Sequence, residues 1–211
     1  MQRVNYAQLS LFSIYEYFLL LSPGPGIVRK VAAMKSRLAA MIRIPPYNLG
    51  SIAHISLMKF SRTEDDQAII QRVTRAVEGF SEFRVQLDGA DIFHHGRTAT
   101  LMLQPVDSDA ITSLHGIITV AFNHHRSIRP HITIARNVAH EELLKVNLHD
   151  FDCHDSFCCD KVTILKKAVE APHYEVLQEV PLFSEKFIDT TVFMKADGIP
   201  FPAAIDRRRI P

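Results

Sequence analysis

One short pattern does most to limit what this chain can fold into. Histidine, apolar, hydroxyl, apolar occurs at His54-Ile55-Ser56-Leu57 and again at His131-Ile132-Thr133-Ile134, seventy-seven positions later. In a β-strand alternate side chains share a face, about 6.6–6.8 Å apart along the chain. Each histidine should therefore stand beside its hydroxyl while the aliphatic pair behind it packs into a core. A histidine with a hydroxyl two places on also occurs at His125-Arg126-Ser127 and His154-Asp155-Ser156, but there charges fill the positions a half-buried strand needs apolar. An imidazole and a hydroxyl on one face can move a proton and hold an oxygen of the same substrate.

The two copies occupy equivalent places in a repeated order. Ile14–Leu21 reads as a buried strand, and Ser22-Pro23-Gly24-Pro25-Gly26 breaks it and starts a helix. Ile27, Val31, Met34, Leu38 and Met41 recur at helical steps. The proline-rich loop Ile44–Gly50 leads into the first motif strand, near 52–60. A helix follows at about 64–79, then a strand from Phe83 towards Phe93. The second half repeats this with a strand at Thr98–Leu103 and a helix at Asp107–Phe122, capped by Asp107 or Ser108. The motif strand near 130–136, a short helix at 138–147 and strands at 157–166 and 174–180 complete it. The expected fold class is α+β, bilobal, with duplicated βαβ-type lobes and a central cleft between two antiparallel-type sheets. The expected domain limits are a lead-in at 1–13, the bilobal domain at 14–189 and a tail at 190–211 ending in Arg207-Arg208-Arg209.

Composition sets bounds only. With 211 residues, 47% hydrophobic and 22% charged, the chain has ample length for a core. The net charge of +1 is uninformative, but no acidic residue occurs from Tyr17 to Thr63, where Arg29, Lys30, Lys35, Arg37, Arg43, Lys59 and Arg62 all lie. That stretch is either a solvated helix face or a positive rim for a phosphorylated substrate. Three cysteines give no even disulfide framework, and Leu9–Leu21 is too short and too interrupted to span a bilayer. A cytoplasmic monomer without a membrane segment or stable protein partner is the expectation.

On these residues the chain resembles the two-histidine phosphoesterase superfamily, in its bacterial 2′–5′ RNA ligase-like branch. The matches are His54-Ile55-Ser56-Leu57 and Pro130-His131-Ile132-Thr133-Ile134-Ala135-Arg136, with further likeness in Phe83–Phe93 and Cys159–Lys166. Ala53 stands where a proline is common, and Ser56 replaces a more frequent threonine. The resemblance implies a metal-independent phosphodiesterase without cofactor. It would open 2′,3′-cyclic phosphates at RNA or nucleotide ends to 2′-phosphates, with weak reverse 2′–5′ ligation. Alternatives are a phosphodiesterase for a small cyclic nucleotide, such as an ADP-ribose cyclic phosphate, and a non-catalytic module that binds RNA ends.

Within that reading His131 activates water and His54 protonates the leaving ribose oxygen, while Ser56 and Thr133 donate to non-bridging oxygens. Strict alternation puts Arg136 on the back face, so it reaches the phosphate only if the strand ends or twists there. The same rule puts Met58 and Phe60 on the face of His54, where packing in the core or groove wall is the expected role and contact with a base or ribose the alternative; Tyr47 either stacks on a base or covers a core edge. Cys153, His154, Cys158 and Cys159 invite a zinc reading, but adjacent cysteines on a strand point to opposite faces, so no metal site is expected. His94-His95 and His124-His125 read as loop histidines near the groove ends.

Overall fold

The computed structural model describes residues 13–183, so the expected tail and all but the last residue of the lead-in lie outside the described residues. The elements are β1 (Ile14–Leu21), α1 (Pro25–Met41), α2 (Tyr47–Gly50), β2 (Ile55–Thr63), α3 (Asp66–Val77), β3 (Phe83–His95) and β4 (Thr98–Pro105). They continue as α4 (Asp109–Ala121), β5 (Ile132–Ala139), α5 (His140–Leu143), a 3-10 turn at Leu148–Phe151, β6 (Ser156–Cys159), β7 (Lys161–Ala168) and β8 (Glu175–Pro181).

The fold is α+β and duplicated, as the repeated order predicts. One half contributes β2-β1-β7-β8 and the other β5-β4-β3-β6; every ladder is antiparallel. The halves join at the motif strands, through the pair Ile55 and Ile132, into one eight-stranded sheet.

Two expectations need correction. The stretch 157–166 is two strands, not one: β6 pairs with β3 in one half, β7 with β1 in the other, and only Asp160 separates them. The chain crosses between the halves in that single residue, so the sheet must curl to bring those strands together. The helix expected at 138–147 is only one turn, α5, before the 3-10 turn that buries Phe151. Asn147 starts that turn by accepting from the His149 N–H (3.3 Å).

The helices cover one face of the sheet. Ile27, Val31 and Leu38 of α1, Ile69 and Val73 of α3, and Ile111, Leu114 and Ile118 of α4 form one cluster with Leu19, Leu21, Ile55, Leu57, Leu101, Leu103, Ile132 and Ile134. Each such side chain is worth about 1.5–3 kcal/mol of burial. The apolar partners of the motif are therefore the middle of the core. Rigidity there fixes the residues on the opposite, open face.

Candidate active site

His54 and His131 each sit one residue before their strands, at the single point where the two halves meet. With Ile55 opposite Ile132, one step either way puts His54 opposite Thr133 and Ser56 opposite His131. All four point away from the core that takes Ile55 and Ile132. Directly opposed residues in an antiparallel pair lie about 4.5–5.5 Å apart and diagonal ones about 7–8 Å. The two imidazoles are thus diagonal neighbours across the join, each facing the hydroxyl of the other half. The structure brings together the four residues that the pattern singled out.

Both rings are held in the same way. Nδ1 of His54 donates to the Ile52 carbonyl (2.8 Å), and Nδ1 of His131 to the Arg129 carbonyl (2.7 Å). A carbonyl only accepts, so Nδ1 carries the proton in each neutral ring and Nε2 presents its lone pair. The edge of Phe18 supports His54, with ring centroids 5.1 Å apart at 88°. Burial holds the His54 pKa below the usual histidine value; the Ile52 carbonyl opposes the shift, and positive charge from Lys35, His131 and Arg136 adds to it.

Alternation then fails at the same position in both motifs. In β2 the register against β1 passes from Ser56–Leu20 to Met58–Leu19, leaving Leu57 as an extra residue. In β5 the register against β4 passes from Thr133–Met102 to Ala135–Leu101, leaving Ile134 extra. Each extra residue is a β-bulge three places after its histidine, and it resets which face the following side chains occupy. Leu57 and Met58 both turn to the core, as do Ile134 and Ala135. Lys59 and Arg136, each five places after its histidine, are returned to the open face and are exposed.

This overturns three expectations read from alternation. Arg136 lies on the site face. Met58 is a core residue, 4% exposed, and Phe60 packs on Tyr17 and Phe122 with ring centroids at 5.5 and 5.2 Å. Leu20 and Met102, opposite the two hydroxyls, form the buried apolar floor of the site instead.

Arg136 is fixed by a residue that sequence reasoning missed. Asn48, 1% exposed, accepts from the Arg136 backbone N–H (3.0 Å) and donates to the carbonyls of Arg136 and Pro45 (both 3.1 Å). The Arg136 guanidinium lies over the Tyr47 ring, 5.2 Å from its centroid. Tyr47 therefore supports an arginine rather than standing open on both faces. Beneath this runs Lys35, 2% exposed, whose Nζ donates to Ser51 O and Ser51 Oγ, both at 2.6 Å. The Ser51 hydroxyl donates in turn to Asn48 O (3.0 Å). No carboxylate is paired with Lys35 among the described residues. Burial, with Arg136 adding to it, lowers its pKa to about 8. The chain Lys35–Ser51–Asn48–Arg136 ties α1 and the segment before His54 to the strand that carries His131.

Much of the basic stretch is otherwise engaged. Lys30 pairs with Asp155, Arg37 with Asp150 (3.2 Å) and Arg62 with Asp65 (3.1 Å). Of its members, Lys35 acts electrostatically on His54, and Lys59 lies opposite Phe18, which packs on that ring. His94 and His95 end strand β3 rather than lying in a loop; His94 packs on His140, and His95 meets the Thr100 hydroxyl (3.1 Å). Cys158 is exposed and Cys159 buried, the opposed orientation that alternation predicts for that pair; burial pushes the Cys159 thiol up to about 12.

The sheet is thus duplicated, and each half delivers one imidazole and one hydroxyl to the join. The chain belongs to the 2′-5′ RNA ligase superfamily, the two-histidine phosphoesterases, whose family model matches residues 27–171. That superfamily consists of phosphodiesterase- and ligase-type enzymes. Among solved structures, the chain is similar to E. coli LigT in complex with 3′-AMP at TM-score 0.58 and 14% identity, covering 81% of this chain and 99% of that one. It is similar to the TT0787 protein of Thermus thermophilus at TM-score 0.58 and 15% identity, with coverage of 81% and 99%. At such identities the likeness is one of fold. No curated protein matches the chain. No helix among the described residues is long and apolar enough to cross a membrane.

Proposed function

We propose that the chain hydrolyses 2′,3′-cyclic phosphates at RNA or nucleotide ends to 2′-phosphates, with weak 2′–5′ joining where a ribose 5′-hydroxyl takes the place of water as nucleophile. The observation that carries this reading is the matched pair of imidazoles, each with Nδ1 tied to a carbonyl and Nε2 presented beside the other half's hydroxyl. One base and one acid about a single phosphorus is what opening a cyclic phosphodiester requires. Membership of the superfamily supports it, and LigT, whose fold is similar, has been solved with 3′-AMP and with phosphate.

The groups suggest a division of labour. The depressed pKa of His54 leaves it neutral near pH 7, suited to take a proton from water; this exchanges the roles expected from sequence. The water oxygen bonds to phosphorus, the bond from phosphorus to O3′ breaks, and His131, entering the step as the imidazolium with a second proton on Nε2, gives that proton to O3′. The phosphate stays on O2′. Ser56 and Thr133 donate to the two non-bridging oxygens, where charge builds in the transition state, and Arg136 neutralises it. Every proton in this scheme is moved by a side chain of the chain itself.

The test is incubation with an oligonucleotide ending in a 2′,3′-cyclic phosphate, with chelator present, followed by identification of the product isomer. A 2′-phosphate formed at an unchanged rate in chelator is expected. No turnover, or release of the 3′-phosphate alone, defeats the reading.

A further inference from the structure

The bulge that returns Arg136 to the site face has its counterpart in β2, and there it delivers Lys59. Lys59 lies opposite Phe18 in the β1–β2 register. Phe18 meets His54 edge-on at 5.1 Å and Tyr174 at 5.8 Å, so an aromatic floor runs from the catalytic imidazole towards the lysine. Tyr174 is anchored there by donating its hydroxyl to Glu16, with Lys59 and Lys167 flanking its ring at 5.6 and 5.5 Å.

The charges on this patch do not balance. Glu16 is shared by Lys59 at 3.0 Å and Lys167 at 3.6 Å, and neither lysine has another carboxylate among the described residues. Two ammonium groups against one carboxylate leave an excess positive charge. Lys167 is largely covered, its side chain 18% exposed, whereas that of Lys59 is 51% exposed. On the opposite side of the site Arg129 pairs with Asp91 (2.9 Å), whose carboxylate also accepts from Gln104, and Arg136 is committed to the reacting phosphate. That local excess attracts an anion extending from the reacting phosphate along the β1–β2 side.

Chemistry identifies that anion. A ribose closed as a 2′,3′-cyclic phosphate has used both lower hydroxyls, so its only other phosphate is carried on O5′. We propose that Lys59 is a second anion subsite for this 5′-phosphate, with the nucleoside lying over Phe18 and Tyr174. The chain then takes a cyclic phosphate carried on a 5′-phosphodiester, an oligonucleotide end, in preference to a free cyclic nucleoside. This rests on the reaction proposed above and selects between an RNA end and a small cyclic nucleotide as its substrate.

Binding reads the subsite without requiring turnover. The probes are adenosine 2′-phosphate and adenosine 2′,5′-bisphosphate, titrated calorimetrically into the full chain. The wild type should prefer the bisphosphate by about tenfold, the scale of a hydrogen bond to a charged group. Lys59→Met should remove the preference, Lys59→Arg should keep it, and Glu16→Gln, which lifts the competing carboxylate, should enlarge it. Absence of a preference in the wild type, or a preference unchanged in Lys59→Met, overturns the subsite. A Lys59-dependent preference in a chain that hydrolyses no cyclic phosphate upholds the subsite and overturns the reaction.

Discussion

Replacing Asn48 by alanine tests whether the link between the two halves is as specific as its geometry. The side chain is fully buried, donates at 3.1 Å to two carbonyls and accepts at 3.0 Å from the Arg136 N–H. Each bond contributes about 1 kcal/mol net, and backbone groups left buried without partners cost about 1–3 kcal/mol. Allowing for the Pro45 carbonyl reaching water in its loop, we expect a loss of about 2–4 kcal/mol. For a chain of this length that lowers Tm by roughly 4–16 °C. Urea unfolding followed by circular dichroism measures it, as a shift in midpoint at constant slope. Because the lost bonds hold the backbone of Arg136, kcat/KM on a cyclic-phosphate end should fall as well, at temperatures where the variant is fully folded. Asn48→Asp keeps the acceptor but turns both donors into charge facing carbonyls, and should be no better than alanine. A stability loss below about 0.5 kcal/mol with unchanged kcat/KM would refute the reasoning.

Other outcomes follow from the same geometry. Ser56→Ala and Thr133→Ala should each lower kcat by about 10²–10³, the usual loss for one oxyanion donor, with stabilities within about 0.5 kcal/mol of the wild type by the same urea assay. Lys35→Met should move the acid limb of the kcat/KM profile to higher pH. Lys35 is charged below about pH 8 and depresses the His54 pKa, so removing the charge lets that pKa rise and the base protonates sooner. A limb that stays put or moves down would exclude Lys35 as a source of that field. Gly89→Ala should destabilise the protein measurably in urea: its φ is +83°, and an added Cβ would sit 2.8 Å from the Asp152 carboxylate, which accepts from the Ala90 N–H (2.9 Å).

The duplication, the motif strands and the four residues facing one another were legible in the sequence because period-two alternation carries that information. It stops at Leu57 and Ile134. A bulge inserts one residue without altering composition, and everything beyond it changes face, so Arg136 and Met58 were read to the wrong side. Both bulges have two successive buried apolar residues after the hydroxyl, Leu57-Met58 and Ile134-Ala135. That doubling, repeated at the same offset, is the signal that strict alternation overlooked. Asn48 and Lys35 had no such mark. A polar residue in a proline loop and one cation among several on a helix look solvated until the long-range partner is known. Asp160 was hidden for a similar reason: nothing in Phe157–Lys166 distinguishes one strand from two that belong to opposite halves.

The central claim is that His54 and His131 act as one unit on one phosphate. A double-variant cycle on kcat, with His54→Ala, His131→Ala and the pair, tests it most directly. Residues that work together lose their effect together, so the double variant should be about as slow as the slower single one. Losses that multiply, or either single variant retaining the wild-type rate, would contradict a shared reaction centre.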